Sequence, residues 1–412
     1  TYNTAVGKAA LDANTTASAI TAVGFGALGS NTTGASNTAV GADSLDANTT
    51  GANNVAVGNA AGGAITTGSS NVLIGSLAGD ALTTASENTV VGHFAMSNNV
   101  LGAKNVAIGT STLSATNPSS AADMFNVAVG FQAGNAVTTG TNNVIVGGLA
   151  GDAVTTGKAN TFIGSAAASA CTTGSYNTAV GGGEIGVSPG ALDSLTTGNN
   201  NVAVGSDALA SNTTADNNTA VGVEALDANT TGAANTAVGK SALGANTTGE
   251  KNVAMGFSAL TSNTTGVKNV AVGLESLVNS TTGTNNVAMG FESLKANTTG
   301  INNTAVGDSS LLGNTTGGSN VAVGKFALRV NTTASNNTGI GQDAMASNTE
   351  GFNNTAVGKD ALDSNTTGDH NTSVGVDALQ ANTTADHNTA VGHSALENNT
   401  TGHSNTAVGK NA

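Results

Sequence analysis

A pentapeptide with the pattern Asn-Thr-Ala-Val-Gly, or a close variant of it, recurs through the whole chain and constrains its fold more than any other feature. It occupies residues 3–7, and 24 copies of it lead to residues 405–409. The closing glycine recurs at one fixed spacing, as in Gly7, Gly24 and Gly41, and the spacing is longer only after Gly109 and after Gly181. A strict period of this size is typical of stacked structural repeats. We therefore predict an all-β fold, a parallel β-solenoid of about 24 coils of 17 residues, with residues 1–412 as one body.

The composition agrees with a thin repetitive structure. The chain has 57 Gly, 3% aromatic residues and 9% charged residues. Disorder is the rival interpretation of so much Gly, Asn and Thr, but apolar residues occupy fixed positions in the repeat, which disorder does not require. The net charge of −14 argues against a nucleic-acid partner. No stretch is long and apolar enough to span a membrane.

We number the repeat so that its Asn is column 1 and its fixed Gly is column 5. Columns 2 and 4 are Thr or aliphatic in every copy, and they share one face of a strand because side chains alternate. We predict that this face fills the core and that the glycine turns a corner at positive φ. The second phrase of the repeat, columns 8–14, is predicted to form a second strand. The core predicted in this way is represented by Val6, Val40, Val57, Leu45, Asn48, Gly41 and Gly58.

Columns 9 and 12 change together. Most coils have Leu at column 9 and Asn at column 12, but five coils within the variant block over residues 59–198 have Gly or Ala at column 9 and Ile, Leu, Val or Cys at column 12. This exchange conserves volume, which cores tolerate best, so both columns are predicted to share the interior. Cys171, at column 12, is then a small buried hydrophobe. The Asn-Thr-Thr sequons at column 12 are either glycosylation sites or an internal hydrogen-bonded ladder, and we favour the ladder.

Column 3 is apolar as well, although it faces away from columns 2 and 4. A strand that is apolar on both faces is usually buried on both. We therefore expect column 3 to lie against another chain or another covering layer, and the alternative is a row of exposed alanines. The interface candidates are Ala39, Leu73, Val90, Ile145 and Phe162.

Two insertions hold both prolines of the chain, one within residues 110–126 and one within residues 182–201. Proline cannot donate a hydrogen bond to a ladder of strands, so we expect both insertions to be loops. Their distinctive side chains make them candidates for specific recognition, and unstructured excursions are the alternative. The recognition-loop candidates are Met124, Phe125, Glu184 and Ile185.

Acidic and histidine side chains recur at equivalent columns of neighbouring coils. Acidic and histidine residues stacked in this way could bridge a cation, and a solvated turn is the alternative. The weak metal candidates are Asp343, Asp360, Asp377, His370 and His387. The Thr residues of columns 13 and 14 form long tracks that suggest an ice-binding surface, although Thr is also a good strand residue. We find no catalytic constellation and expect no cofactor and no enzyme activity.

The pentapeptides, including Asn-Asn-Val-Ala-Val-Gly at residues 53–58, are similar to the head repeats of YadA-like trimeric autotransporter adhesins, which carry a related Ser-Val-Ala-Ile-Gly. The period of those repeats is shorter than the period of this chain. The longer phrase Ala-Leu-x-x-Asn-Thr-Thr-Gly-x-x-Asn-Thr-Ala-Val-Gly also resembles repeats of bacterial and phage tail-fibre proteins. This resemblance implies a left-handed β-roll, a homotrimer, and a place on a cell or virion surface. Neither end of the chain looks like a capping coil, so we expect a longer precursor.

These observations predict a non-enzymatic structural or adhesive extracellular fibre that associates with itself and binds a host-surface or matrix receptor. One alternative is a subunit that joins end to end into a filament, because open coil ends offer unpaired strand edges. The other alternative is an ice-binding solenoid that uses the Thr tracks.

Overall fold

The structure is a computed structural model that describes residues 2–184 and 188–412. It has two compact units, Thr1–Ala215 and Asp216–Ala412. In both units, every coil of the repeat contributes one three-residue strand at columns 2–4. Within each unit these strands pair in parallel with those of the neighbouring coils, and equivalent columns lie side by side, as Ala39 lies beside Ala56. The predicted parallel β-solenoid and its period are thus confirmed.

The first unit contains twelve such strands among its described residues, together with one short side pair. The insertions leave the register of the coils intact, since Val106 still pairs with Val127 and Thr178 with Val202. The strands of the coils are β1 (Thr4–Val6), β2 (Thr21–Val23), β3 (Thr38–Val40), β4 (Val55–Val57), β5 (Val72–Ile74), β6 (Thr89–Val91), β8 (Val106–Ile108), β10 (Val127–Val129), β11 (Val144–Val146), β12 (Thr161–Ile163), β13 (Thr178–Val180) and β14 (Val202–Val204). The side pair consists of β7 (Gly102–Ala103) and β9 (Ala122–Asp123).

The second unit is more regular, because it has twelve coils and no insertion. Its strands are β15 (Thr219–Val221), β16 (Thr236–Val238), β17 (Val253–Met255), β18 (Val270–Val272), β19 (Val287–Met289), β20 (Thr304–Val306), β21 (Val321–Val323), β22 (Thr338–Ile340), β23 (Thr355–Val357), β24 (Thr372–Val374), β25 (Thr389–Val391) and β26 (Thr406–Val408). Neither unit contains a helix within the described ranges, so none there is long and apolar enough to cross a membrane.

No strand covers columns 8–14 in the described residues, so the predicted second strand is wrong. Columns 6–11 form consecutive turns, with positive φ at columns 7 and 9, as in Asp43 (φ 56°) and Leu45 (φ 50°). These turns still bond to the next coil through their backbones, as when Leu28 N–H donates to Ser44 O at 3.0 Å. The glycine of column 5 has the predicted positive φ, as Gly41 (138°) and Gly58 (139°) show. A Cβ at Gly41 would lie 2.4 Å from the carbonyl oxygen of Gly58, so the stacking of coils requires glycine there.

The predicted core face of the strand is also wrong. Column 3 points into the coil, and columns 2 and 4 point outward. The predicted core residues Val6, Val40 and Val57 are exposed. The predicted interface residues are instead fully buried inside their own coils, namely Ala39, Leu73, Val90, Ile145 and Phe162.

The variant coils show which neighbours column 3 contacts inside the coil. A Cβ placed on Gly151, at column 9, would lie 2.8 Å from Cδ2 of Phe162, which is at column 3 of the next coil. At Gly62 the corresponding neighbour is Leu73, whose Cδ1 would lie 2.5 Å away, and Cδ1 of Ile65 would lie 3.2 Å away. Large residues at column 3 therefore fill space that Leu leaves when column 9 becomes Gly. The predicted coupling of columns 9 and 12 is real, but column 3 is its third member.

The predicted internal ladder is confirmed. Asn48 is fully buried, and its Nδ2 donates to Asn31 Oδ1 at 2.7 Å and to Gly51 O at 3.0 Å. The same pattern runs through most coils of the second unit, for example from Asn246 to Asn229 at 2.8 Å. A second ladder runs along column 1, where Asn54 N–H donates to Asn37 Oδ1 at 2.9 Å. These ladders satisfy most buried amide groups, as burial requires, and keep their side chains from solvent in the folded chain.

Candidate functional site

The outward side chains of columns 2 and 4 form a surface that we call the sheet face. It has no ionisable residue at either column in any of the 24 coils, although the chain contains 25 Asp or Glu and 11 Lys or Arg residues. Column 4 contributes aliphatic side chains such as Ile74 and Met255, which are 40% and 44% exposed. Column 2 contributes half-buried Thr or Val. Within each unit, this uncharged and largely aliphatic surface is of the kind that marks an interaction site more often than scattered exposed residues do.

Column 6 follows the fixed glycine and adds large side chains to the edge of the sheet face. Phe257, Leu274 and Phe291 occupy this column in three consecutive coils and are 50%, 43% and 49% exposed. Phe25 and Phe131 in the first unit are similarly exposed. Column 6 is not among the predicted sites, although the recurrence of aromatic residues one position after the fixed glycine was a signal for it.

The Asp residues that were weak metal candidates lie together at column 7 around a lysine. Lys359 Nζ approaches Asp360 Oδ2 at 2.5 Å. The hydrogen bond to Asp360, supported by the charges of Asp377 and Asp343, raises the pKa of Lys359 above its ordinary value. Asp360 therefore has a cation of the chain itself as its partner, whereas Asp343 Oδ2 accepts from Gln342 Nε2 at 2.9 Å.

The two candidate histidines lie in a different group of turns, at column 17. The rings of His370 and His387 stack with centroids 5.0 Å apart and an interplanar angle of 21°. Phe352 contacts the outer face of this pair edge-on, with its centroid 5.3 Å from that of His370. Asp369 and Asp386 turn their carboxylates to backbone N–H groups of the preceding coil. In the described parts of the chain, no three His, Cys, Asp or Glu side chains are grouped so as to hold a metal ion.

The first insertion gives one exposed candidate and one buried one. Met124 is 1% exposed and cannot contact a partner, because it packs where a Cβ on Gly102 would lie 3.1 Å from its Cγ. Phe125 is 50% exposed, with Lys104 Nζ 5.4 Å from its ring centroid. Lys104 also pairs with Asp123 at 2.7 Å, beside a shallow groove of about 400 Å³. Phe125 therefore remains a recognition candidate, whereas the prediction for Met124 is wrong.

The second insertion lies between Gly181 and Ala191, whose N–H donates to Gly181 O at 3.0 Å. Glu184 is exposed, and its N–H donates to Ser188 Oγ at 3.0 Å. The candidate Ile185 lies outside the described residues. Glu184 therefore remains accessible for recognition.

The two Thr tracks differ in what their hydroxyl groups do. Column 13 hydroxyls bond to the next coil, as when Thr247 Oγ1 donates to Thr264 O at 3.0 Å. Column 14 side chains are exposed in seven consecutive coils of the second unit. They are Thr231, Thr248, Thr265, Thr282, Thr299, Thr316 and Thr333. Only column 14 therefore presents a regular array of Thr to solvent.

Cys171 is fully buried, and burial raises the pKa of its thiol to about 11. The thiolate needed for nucleophilic chemistry is thereby disfavoured at neutral pH. This agrees with the predicted role of Cys171 as a small hydrophobe of the core.

Comparison with protein-family models gives no match for this chain, and comparison with curated proteins gives none either.

Proposed function

We propose that this chain is a structural and adhesive component of an extracellular fibre, of the adhesin-head or tail-fibre kind, which associates with itself through the sheet face. The observation that carries the proposal is the contrast between the inside and the outside of the coils. Inside, the amides of two columns bond coil to coil, which suits a rigid scaffold. Outside, the uncharged sheet face is presented coil after coil within each unit.

Self-association is assigned to the sheet face and not to column 3. The expected homotrimer relied on column 3, which lies inside its own coil. The sheet face replaces it, because twelve strands spaced about 4.8 Å apart and about 10 Å wide present about 580 Å² per unit. Two copies that meet over one unit would bury about 1,150 Å², which exceeds the size of most adventitious contacts.

Recognition of a surface receptor is assigned to the insertion in the first unit. Phe125 is a half-exposed aromatic residue next to the Lys104–Asp123 pair, and aromatic side chains are enriched at binding hot spots. The resemblance to adhesin heads and tail fibres supports the same proposal, because such repeats serve as stalk or head surface.

Sedimentation velocity over a wide range of protein concentrations, with electron micrographs of the same samples, tests the proposal. We expect discrete oligomers that are destabilised when Val272 and Val306 on the sheet face are replaced by Asp. The matched control is Thr265→Asp, which places the same charge at exposed column 14. A chain that stays monomeric at all concentrations would refute self-association, and endless filaments would support the end-to-end alternative.

Ice binding is a second candidate because of the seven exposed Thr side chains of column 14. They repeat about every 4.8 Å along the unit, which gives a regular array of hydroxyl and methyl groups. Measurement of thermal hysteresis tests this candidate. Substitution of Thr265, Thr282 and Thr299 by Lys should abolish any hysteresis, whereas a wild-type chain with none would exclude the function.

A further inference from the structure

The middle of the second unit carries a patch whose side chains are arranged symmetrically. Column 6 of the coils with strands β16 to β20 reads Lys240, Phe257, Leu274, Phe291 and Asp308. The backbones of this row bond in sequence, as when Glu275 N–H donates to Phe257 O and Glu292 N–H to Leu274 O, both at 3.0 Å. The row is therefore continuous, and we call it the charge-bounded row.

The neighbouring columns of the same five coils have the same symmetry. Column 4 places Met255 and Met289 on either side of Val272, with a valine beyond each. Column 2 places a valine in the three central coils and a threonine in the two outer ones. All three columns thus have matching side chains at equal distances from strand β18, apart from the charges at the two ends of the charge-bounded row.

These two charges are opposite in sign and reach solvent. Lys240 is exposed, and the side chain of Asp308 is 44% exposed. Asp308 Oδ2 has a loose ion pair with Lys325 at 3.7 Å, and its Oδ1 accepts a hydrogen bond from Ser309 Oγ at 2.8 Å. Between the two ends lie only the apolar side chains of Phe257, Leu274 and Phe291.

We propose that this patch binds the same patch of a second copy in antiparallel orientation, around a twofold axis that runs along strand β18. Such an axis reverses the order of the coils and keeps the columns aligned. Lys240 then faces Asp308 of the second copy, Phe257 faces Phe291, and Leu274 faces itself. This is the self-complementary geometry that a twofold interface requires. The inference rests on the proposed self-association and specifies its site and its symmetry.

The charges of Lys240 and Asp308 decide between the parallel and the antiparallel orientation, because the sizes of the apolar side chains fit both. Parallel copies in register would place Lys240 next to Lys240 and Asp308 next to Asp308, which is repulsive. Antiparallel copies pair both charges with a charge of opposite sign.

Near the axis Lys295 pairs with Glu275 and Glu292, each at 2.7 Å, which leaves one net negative charge on these three side chains. Exposed Lys268, just before strand β18, adds one positive charge. These four side chains therefore carry no net charge in each copy.

The expected contact is weak. Seven coils of the second unit overlap in this orientation, and a strip about 13 Å wide over these coils covers about 440 Å² per copy. The pair would bury about 900 Å², which is the size of transient complexes. Association should therefore depend on concentration and weaken as salt is raised, because the charges at the ends of the row are exposed.

Charge reversal tests the proposal in the full chain. We expect Lys240→Glu and Asp308→Lys each to weaken dimerisation about tenfold, because each places like charges opposite one another twice per dimer. The double variant Lys240→Glu/Asp308→Lys should regain the wild-type dissociation constant. Lys410→Glu, which changes the same column far from the axis, should have no effect. Thermal melting of each variant separates weak association from poor folding.

Cross-linking with a short bismaleimide tests the orientation independently, since the native Cys171 is buried. Chains with Phe257→Cys should not cross-link with each other, but should cross-link with chains that carry Phe291→Cys. Cross-linking within the Phe257→Cys sample would show parallel contact and overturn the proposal. The proposal would also be overturned if the chain self-associates but the charge reversals leave the dissociation constant unchanged and the cross-links do not follow the expected cysteine pairs. The proposed function would remain intact in that case. A chain that remains monomeric would refute both.

Discussion

The side-chain nitrogen of Asn246 donates a hydrogen bond to the side-chain oxygen of Asn229, one coil earlier, at 2.8 Å. The same nitrogen donates to Gly249 O at 3.0 Å, and Asn246 Oδ1 accepts from Asn263 at 2.8 Å. Each amide thus joins its own coil to both neighbours. Because all these groups are buried, a coil that shifted by one residue would leave several of them without partners, which costs more than their hydrogen bonds contribute.

Breaking this ladder should destabilise the second unit. Asn314 donates to Asn297 Oδ1 at 2.9 Å and to Gly317 O at 3.0 Å, and it accepts from Asn331. Asn314→Leu removes these bonds and leaves buried polar groups unpaired, so we expect a loss of about 2–5 kcal/mol in the free energy of unfolding. Chemical denaturation followed by circular dichroism measures it. Asn279→Leu, at an exposed position, is the control, and an equal loss in both variants would contradict this role of the ladder.

Repairing a natural gap in the ladder should have the opposite effect. Ser280 occupies column 12, and in the part of the chain that the structure describes neither its Oγ nor Asn263 Oδ1 has a hydrogen-bond partner. Ser280→Asn supplies an amide at the position from which other coils donate to this oxygen. We expect a gain of about 1 kcal/mol in the free energy of unfolding. Thr282→Asn, at an exposed position, is the control. If Ser280→Asn gives no gain in the free energy of unfolding, the gap in the ladder relieves strain.

The variant coils should show coupling between columns 9 and 3. Gly151→Leu alone would clash with Phe162, and Phe162→Ala alone would leave a cavity that costs about 3–5 kcal/mol. The double variant should be more stable than the sum of the two losses predicts, because the leucine fills part of that cavity. A double-mutant cycle in denaturant measures the coupling. Strict additivity would show that the two columns do not share the same space.

Several aspartates should make the fold more stable in mild acid than at neutral pH. Burial raises the pKa of Asp46, Asp80, Asp152 and Asp363 above the ordinary value of 3.8. Between that value and the raised one the folded chain holds more protons than the unfolded chain. The stabilisation that these four aspartates contribute is therefore fully present when the pH is below their ordinary pKa. It is lost as the pH rises through their pKa values in the folded chain.

Melting temperatures measured across this pH range test the prediction. The four Asp→Asn variants combined should flatten the acid side of the profile and raise the melting temperature at neutral pH. Glu250→Gln, at an exposed position, should leave the profile unchanged. A melting temperature that falls steadily from neutral pH to about pH 4 would contradict the sign of the effect.

Much of the fold was predictable because the period leaves few choices. The spacing of the fixed glycines gave the coils, their number and the alignment of equivalent columns. The exchange between Leu45/Asn48 coils and Gly62/Ile65 coils revealed two core columns and the ladder, because volume and hydrogen bonding must both be conserved in a close-packed interior. The candidate surfaces were less predictable. Met124 looked like a loop residue, although its side chain is buried and packs against the position of Gly102.

The sequence by itself determined the repeat, the parallel stacking and the internal amide ladder, since each follows from what recurs in every coil. Only the tertiary structure decided which face of the strand lies inside. Alternation divides the strand into two faces, and here both are apolar, so hydrophobicity does not distinguish them. The decision depends on the turns, whose positive φ values at columns 5, 7 and 9 direct the chain around column 3. With column 3 inside the coil, the aliphatic side chains of column 4 face solvent or a partner.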